Sequence, residues 1–335
     1  MDGSGQVRWG IVGPGRIAAK VVKDFGYAPG AVAVAAASRS IERARAFCTE
    51  HGLATAYGSY ADIITAPDID VLYIATPHPQ HHRIAVAALQ AGKAVLVEKT
   101  FTATVAGAQD VVATAQGNGV FAMEAMWTRF QPAVVAARAL IDDGAIGEVR
   151  QLQADLGVNR PYDESDRLFD PDQGGGALLD LGVYVVSFAQ YVLGVPDRIE
   201  VAGSLAPTGV DWEVGLLLGY DDGRAATLLG SLRHHTPGAA RVFGTTGFIE
   251  IPPRFHHPDR IVLHRTGADP EEIIRPPQGV GYSHELVEVS ECVRAGRTES
   301  TVMPLADTLA VQRILNEASE RLGVFHREDQ TVQVG

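Results

Sequence analysis

Cysteine is scarce in this chain: Cys48 and Cys292 are the only two in 335 residues, too few for a disulfide framework. Both stand in stretches that read as amphipathic helix, as expected of buried thiols in a reducing compartment. Positive charge is also in short supply. Lys and Arg number 28 against 40 Asp and Glu, a formal net charge of -12, and a field of that sign repels DNA, RNA and anionic lipid over most of the surface. Any phosphate the protein holds therefore needs a local exception. Met1 to Arg8 contains no basic stretch leading into an apolar one, and no apolar run approaches the ~20 residues of a membrane span. These absences predict a cytoplasmic protein whose partners include neither membrane nor nucleic acid. Low-complexity tracts and internal repeats are missing as well.

What is present is an ordinary globular mixture, 46% hydrophobic and 20% charged, which excludes a disordered or fibrous chain. A length of 335 residues predicts about two domains. Residues 7–124 alternate short apolar runs (Val7 to Val12, Ala31 to Ala37, Val71 to Ala75, Ala94 to Glu98, Val120 to Met123) with helical stretches such as Ile41 to Glu50, His82 to Gln90 and Val105 to Ala115. Continuous apolar strands alternating with helices imply a parallel sheet covered on both faces. After Trp127 the rhythm changes. A helix over Ala133 to Ile141 leads into strand-like runs at Glu148 to Val158, Ile199 to Leu205, Glu213 to Tyr220, Ala225 to Arg233 and Phe248 to Ile251. Helices are expected at Ala177 to Leu193, His284 to Ala295 and Leu305 to Leu322. The expected fold class is α/β, a Rossmann-type doubly wound parallel sheet over residues 1–125. An α+β domain with a large, open, mostly antiparallel sheet follows over 126–335. The face of that sheet left without helices suits a homodimer.

The first strand runs into Gly13-Pro14-Gly15-Arg16-Ile17-Ala18, a G-x-G-x-x-A turn between strand and helix. Gly13 allows the tight turn, Gly15 leaves room for a pyrophosphate, and Arg16 and Ile17 open a helix whose N-terminus faces the phosphates. An NAD site of this kind carries an acid about 20 residues on, at the end of the second strand. Here that place holds Ser38 and Arg39, with Arg43 one helical turn further. A hydroxyl and guanidinium groups suit a 2'-phosphate, so NADP is the expected cofactor. The alternative is NAD, with Arg39 and Arg43 as solvated surface charges and Glu42 supplying the acid.

The fifth strand ends in Glu98-Lys99-Thr100, and ligands bind beyond the carboxyl ends of strands in such sheets, which puts Lys99 at the nicotinamide end. Gly174-Gly175-Gly176 precedes an apolar helix on which Asp180 and Tyr184, four apart, share one face. Tyrosine at its usual pKa near 10 is a poor base. Lowering it by ~2 to 3 units takes about 3 to 4 kcal/mol, and one ammonium at ~4 Å supplies about 4 kcal/mol at an effective dielectric near 20. Lys99 is therefore sufficient to tune Tyr184, whereas Asp180 alone would act in the wrong direction and serves better to orient the lysine or bind a substrate hydroxyl. The histidine clusters His78, His81 and His82, His234 with His235, and His256 with His257 lack both cysteines and an H-E-x-x-H spacing, so no metal site is expected.

These residues resemble the Gfo/Idh/MocA oxidoreductases over nearly the whole chain. Further matches are Ala75-Thr76-Pro77-His78-Pro79-Gln80-His81, Met123 to Phe130, Gly244-Thr245-Thr246-Gly247 and Glu291 to Arg297. The His78 to His81 loop, the Trp127 segment and tyrosine at 184 look most like the branch of dimeric dihydrodiol dehydrogenases and D-xylose dehydrogenases, which uses NADP. Most relatives have histidine in place of Tyr184, and most have proline in place of Thr100. The resemblance implies that Thr76, Pro77, His78, His81, Glu98, Lys99, Trp127 and Arg129 border the cofactor. It also implies a sugar, polyol or diol substrate held by Lys99, Asp180 and Tyr184, with Trp127 in the substrate wall. The aromatic side chains of Phe130, Tyr162, Phe169 and Tyr282 offer further apolar platforms, with core packing as the alternative reading of each. The other reading is a cofactor-sensing regulator of the same fold that turns nothing over.

Overall fold

A computed structural model describes residues 5–334. The chain divides into two compact units. The first takes residues up to Ala125, Gln278–Leu309 and the chain from Arg327 on, and the second takes Met126–Pro277 and Ala310–His326. The chain first passes from one to the other between Ala125 and Met126. The division is nonetheless not a single cut at 125, because two later segments return to the first unit.

In the first unit six strands, β1 (Val7–Val12), β2 (Ala31–Ala37), β3 (Thr55–Tyr57), β4 (Val71–Ile74), β5 (Ala94–Glu98) and β6 (Ala122–Ala125), form a parallel sheet in the order β3-β2-β1-β4-β5-β6. The strand order reverses between β1 and β4, the place where doubly wound sheets open a crevice at their carboxyl ends. The helices are α1 (Arg16–Asp24), α2 (Ile41–His51), α3 (Tyr60–Thr65), α4 (His78–Gln90) and α5 (Val105–Asn118). One face of the sheet presents Val12, Leu72, Ile74, Val95 and Val97 to Ile63, Ile84, Leu89 and Val111, all wholly buried. The pairing Ile11 with Tyr73 and Tyr73 with Leu96 puts Trp9, Tyr73 and Glu98 on the opposite face.

In the second unit α6 (Pro132–Asp142) leads to β7 (Val149–Gly157), and α7 (Val183–Leu193) leads to β8 (Arg198–Leu205). Then come β9 (Asp211–Gly219), β10 (Ala225–Ser231), β11 (Ala240–Gly244), β12 (Gly247–Ile251), β13 (Arg260–Arg265) and β14 (Glu271–Ile274). The eight strands order as β14-β13-β12-β11-β7-β10-β9-β8, antiparallel except for the parallel pair β7 and β10. Cross-strand register aligns Leu152, Ala226, Leu218 and Ile199 on one face, and Leu152, Val242, Ile249 and Leu263 continue the row. All of these are buried, while the neighbouring row Gln153, Thr227, Leu217 and Glu200 is exposed. The sheet is thus apolar on the face that α7 covers and open on the other.

The helix expected over Ala177 to Leu193 opens with a π turn, Leu178–Gly182, before α7 begins, so Asp180 and Tyr184 straddle a widened turn of a kind frequent at functional sites. This corrects the reading that the chain has no span-like run. Pro171–Leu193 is apolar enough, at mean hydropathy 1.5, to cross a membrane by length and composition, but 78% of that window is buried inside the fold, where it is the core helix of the second sheet. Two helices close the chain, α8 (Ser283–Arg294) and α9 (Leu305–Leu322). The reason α8 belongs to the first unit is its buried stripe: Leu286 and Val289 are fully covered, and Trp9 Nε1–H on β1 donates to Ser290 Oγ at 3.2 Å.

Candidate active site

The glycine turn follows β1. Gly13 sits at φ +86, and a Cβ there would lie 2.9 Å from the Thr76 side chain and 3.0 Å from the Ala75 carbonyl, so the turn and the loop after β4 touch only because residue 13 has no side chain. Gly15 differs: no atom comes nearer than 4.0 Å to the place its Cβ would take. No side chain caps the N-terminus of α1, and Gly15 and Arg16 are exposed there, with Ile17 half-buried behind them. The Gly13 and Gly15 N–H groups are bonded within the turn, to the Ala37 and Gly13 carbonyls, while the N–H groups that open α1 have no intrahelical partner and face the open side of Gly15, an arrangement that fits the phosphates of a dinucleotide.

At the end of β2, Ser38 is buried and its Oγ accepts from the Ser40 N–H at 3.3 Å. Ser40 Oγ in turn caps α2 by accepting from Arg43 N–H at 3.2 Å. Arg39 and Arg43 are exposed, and burial raises the pKa of the Tyr60 phenol while both charges, Arg39 first, pull it back down. Glu42, the candidate acid of an NAD site, accepts the Ser40 hydroxyl proton at 2.8 Å and faces Arg45.

The loop after β4 and the end of β5 are joined by one imidazole. His81 is fully buried, with Nδ1 3.0 Å from the Thr100 carbonyl and Nε2 2.7 Å from the Thr76 carbonyl. Burial pushes its pKa down to about 4, so the ring is neutral at pH 7 and donates to one of the two oxygens at a time. His78 packs edge-on against it at 5.8 Å. Pro77 precedes the first turn of α4, and Thr76 lies buried ahead of it. Lys99 is half-buried just past β5, followed by a cis peptide to Thr100. The Glu98 carboxylate accepts the Tyr73 hydroxyl at 2.5 Å and the Lys99 backbone N–H at 3.2 Å.

Behind Glu98 lies a set of acids that pattern reading missed. Glu285 on α8 is fully buried with neither carboxyl oxygen bonded, and burial, then Glu98 and Asp24, push its pKa well above the usual carboxylate range. Asp24, at the end of α1, accepts four successive backbone N–H groups, from Val280, Gly281, Tyr282 and Ser283, and so anchors the start of α8. Tyr282, expected to line the substrate site, is 6% exposed at that helix start, within electrostatic reach of Tyr73.

In the second unit, Asp180 pairs with Arg167 at 2.8 Å, a partner with no signal in the sequence pattern. Tyr184 is half-buried, and its ring lies 5.0 Å from that of His256. His257 lies 5.0 Å from Trp127, and the Thr128 hydroxyl donates to the His256 carbonyl at 2.8 Å. Tyr184, Trp127 and this histidine pair therefore form one cluster, and His256, weighed from the sequence only as a metal ligand, is the member nearest Tyr184. Arg129 is buried against α7, donating to Gln190 at 2.5 Å and stacked 4.9 Å from the Tyr191 centroid. Tyr162 is 38% exposed and packs 5.1 Å from Phe169, itself fully buried against Trp212. Phe169 thus supports Tyr162 from behind, and the expected platform at this place is reduced to Tyr162. Gly176 has φ +119, and a Cβ there would overlap Asp211, whose carboxylate accepts from Leu178 N–H at 2.6 Å and secures the start of the π turn. Among the described residues no group of three or more His, Cys, Asp or Glu side chains could hold a metal ion.

Residues 7–126 match the family described as an oxidoreductase family with NAD-binding Rossmann fold, and residues 134–250 match the GFO/IDH/MocA C-terminal domain. The chain is 36% identical over 328 residues to a trans-1,2-dihydrobenzene-1,2-diol dehydrogenase of Xenopus tropicalis, covering 95% of this chain and 99% of the relative. The human enzyme of that name is 36% identical over 335 residues, 96% of this chain and 99% of the relative. Among solved structures, an aldose-aldose oxidoreductase from Caulobacter crescentus complexed with glycerol superposes with a TM-score of 0.85 at 25% identity, covering 94% of this chain and 98% of that one. A 3-ketoreductase from Actinomadura kijaniata in complex with NADP and TDP-benzene does so at 0.82 and 25%, covering 94% and 97%.

Proposed function

The chain belongs to the GFO/IDH/MocA oxidoreductase family, and on that premise we propose that it is an NADP-dependent dehydrogenase or reductase acting on a secondary alcohol or carbonyl of a sugar, polyol or cyclic trans-diol. The observation that carries the reading is His81, a buried neutral imidazole set between the carbonyls of Thr76 and Thr100, which brings the loop after β4 against the backbone beside Lys99. Gly13, Gly15, Arg16 and Ile17 would hold the pyrophosphate, and Ser38, Arg39 and Arg43 the 2'-phosphate. Thr76 to His81 would run along the dinucleotide. Bound there, the nicotinamide accepts or supplies the hydride.

Tyr184 would take the hydroxyl proton as the carbinol carbon gives up its hydride, and return it in reduction. Lys99 would stabilise the phenolate and the substrate oxygen, and Asp180, steadied by Arg167, would orient the reacting hydroxyl. The substrate class is supported by 36% identity to enzymes named for a trans-dihydrodiol. The open face of the second sheet, with Leu217 49% exposed on β9 beside the edge strand β8, supports a homodimer. A panel of pentoses, hexoses, inositols and trans-dihydrodiols, followed by NADPH absorbance with NADP and NAD in parallel, tests the proposal. We expect turnover on at least one class with a lower KM for NADP; equal use of both cofactors contradicts the assignment of Ser38 and Arg39.

A further inference from the structure

The C-terminal segment is built into the cofactor-binding unit. Val332 is 4% exposed and sits in the apolar core with α3, α4 and α5. Glu328 Oε1 accepts both the backbone N–H and the hydroxyl of Thr104, each at 2.8 Å, and Thr104 Oγ in turn accepts from Gly107 N–H at 3.0 Å to cap α5. The Arg83 guanidinium donates to the Gln330 carbonyl. Between these anchors the chain crosses the first turn of α4. Asp329 N–H donates to the Pro79 carbonyl at 2.8 Å, and Gln80 Nε2 donates to Asp329 Oδ2 at 3.3 Å. The other oxygen, Oδ1, accepts the Thr331 N–H at 2.8 Å and its hydroxyl at 2.6 Å, so the carboxylate is held in place.

Asp329 therefore sits on the cofactor loop and in the field of Arg39. The Thr331 hydroxyl does most to keep its pKa below the usual range, and Arg39 adds to this, so it is a carboxylate at neutral pH. A dinucleotide whose ribose end reaches Arg39 meets this negative charge. A 2'-hydroxyl is indifferent to it, whereas a 2'-phosphate carrying nearly two charges is repelled while Arg39 and Arg43 attract it.

We propose that Asp329 is a specificity-determining residue of the cofactor site, a carboxylate carried in on the C-terminal segment that moderates the preference of Arg39 for a 2'-phosphate. The proposal rests on the reading of Arg39 as the ribose 2' group. It accounts for why the segment is pinned by backbone and side-chain bonds on both sides of residue 329, and it gives the end of the chain a chemical role rather than a packing role alone.

The test is the ratio of Kd for NAD to Kd for NADP, measured by titration calorimetry on the full-length protein. Asp329→Asn should raise the ratio on the order of threefold or more at low salt, chiefly by tightening NADP, with the gain shrinking as salt is added. Asp329→Glu, which keeps the charge, should restore the native ratio. In an Arg39→Ala background, Asp329→Asn should still raise the ratio by a similar factor, because the repulsion acts on the 2'-phosphate itself. Equal weakening of both cofactors by Asp329→Asn is the signature of a strap that only packs, and it overturns the proposal. An Arg39→Ala ratio equal to the native one overturns the Arg39 reading and this inference with it. A lowered Arg39→Ala ratio beside an unmoved Asp329→Asn ratio overturns the Asp329 assignment alone.

Discussion

Asp211 shows what a single buried carboxyl does to this molecule. It is fully buried, and burial raises its pKa to about 7 against the hydrogen bonds from Leu178 and its neighbours that pull the other way. Because the folded pKa exceeds the unfolded value near 3.9, the folded state binds the proton more tightly. The contribution of Asp211 to stability is whole below about pH 4, falls as pH rises toward 7, and is gone above. At ~1.4 kcal/mol per unit the whole fall is on the order of 4 kcal/mol. Urea denaturation of Asp211→Asn across that range should show the slope flattened, whatever its absolute stability; an unchanged slope would assign the titration elsewhere. Glu285, raised in the same direction by burial, adds to the native slope and leaves a residual one in this variant. Both acids were invisible in the sequence because an isolated Asp or Glu in an amphipathic pattern reads as surface. Only the three-dimensional arrangement turns them inward, Asp211 under the π turn and Glu285 behind Glu98.

Among the elements, the glycine turn separates fold from function. Gly13 has a positive φ and contacts at 2.9 Å, so alanine there should destabilise the domain. Gly15 has neither, and Gly15→Ala should keep the native melting temperature within about a degree or two while weakening NADP binding tenfold or more, checked by thermal melting beside fluorescence titration. Equal binding would mean that the phosphates lie elsewhere. This turn was legible because its spacing is dictated by backbone geometry, and so were β1, β2, β4 and β5, whose continuous apolar runs follow from burial on two faces. The strand β6 begins and ends two residues later than its apolar run suggests. Some elements left no such trace: β3 is three residues long with none fully buried, and α3 spans six residues. The strands β11, β13 and β14 carry Arg241, Arg260, Arg265, Glu271 and Glu272, charges suited to an open sheet face, which break up the apolar signal. The π turn at Leu178–Gly182 was read as plain helix because its widening depends on the Asp211 anchor from a distant strand.

The whole molecule joins a net charge of -12 to a small set of cations proposed for the cofactor and substrate. Arg39 stands at the turn beyond β2, Arg43 in the first turn of α2, and Lys99 just past β5, which is where strand topology directs a phosphorylated cofactor. The two-unit division was legible in the shift from fully apolar to alternating strands, but the return of α8 to the first unit depends on Trp9, Ser290 and the Asp24 anchor, contacts between residues far apart in sequence. The open sheet face predicts a dimer, and Leu217→Glu, which places a charge on that face, should shift sedimentation toward monomer without altering the far-ultraviolet spectrum. A native protein that already sediments as a monomer would remove that part of the account.

The central claim is the division of labour between holding the cofactor and moving the proton, and it is tested most directly by Tyr184→Phe. Steady-state turnover on a substrate of the native enzyme should fall by about a hundredfold or more, while NADPH affinity measured by fluorescence titration stays near native, because the lost group is an acid/base catalyst and not a ligand of the phosphates. Turnover within a few-fold of native would contradict the account.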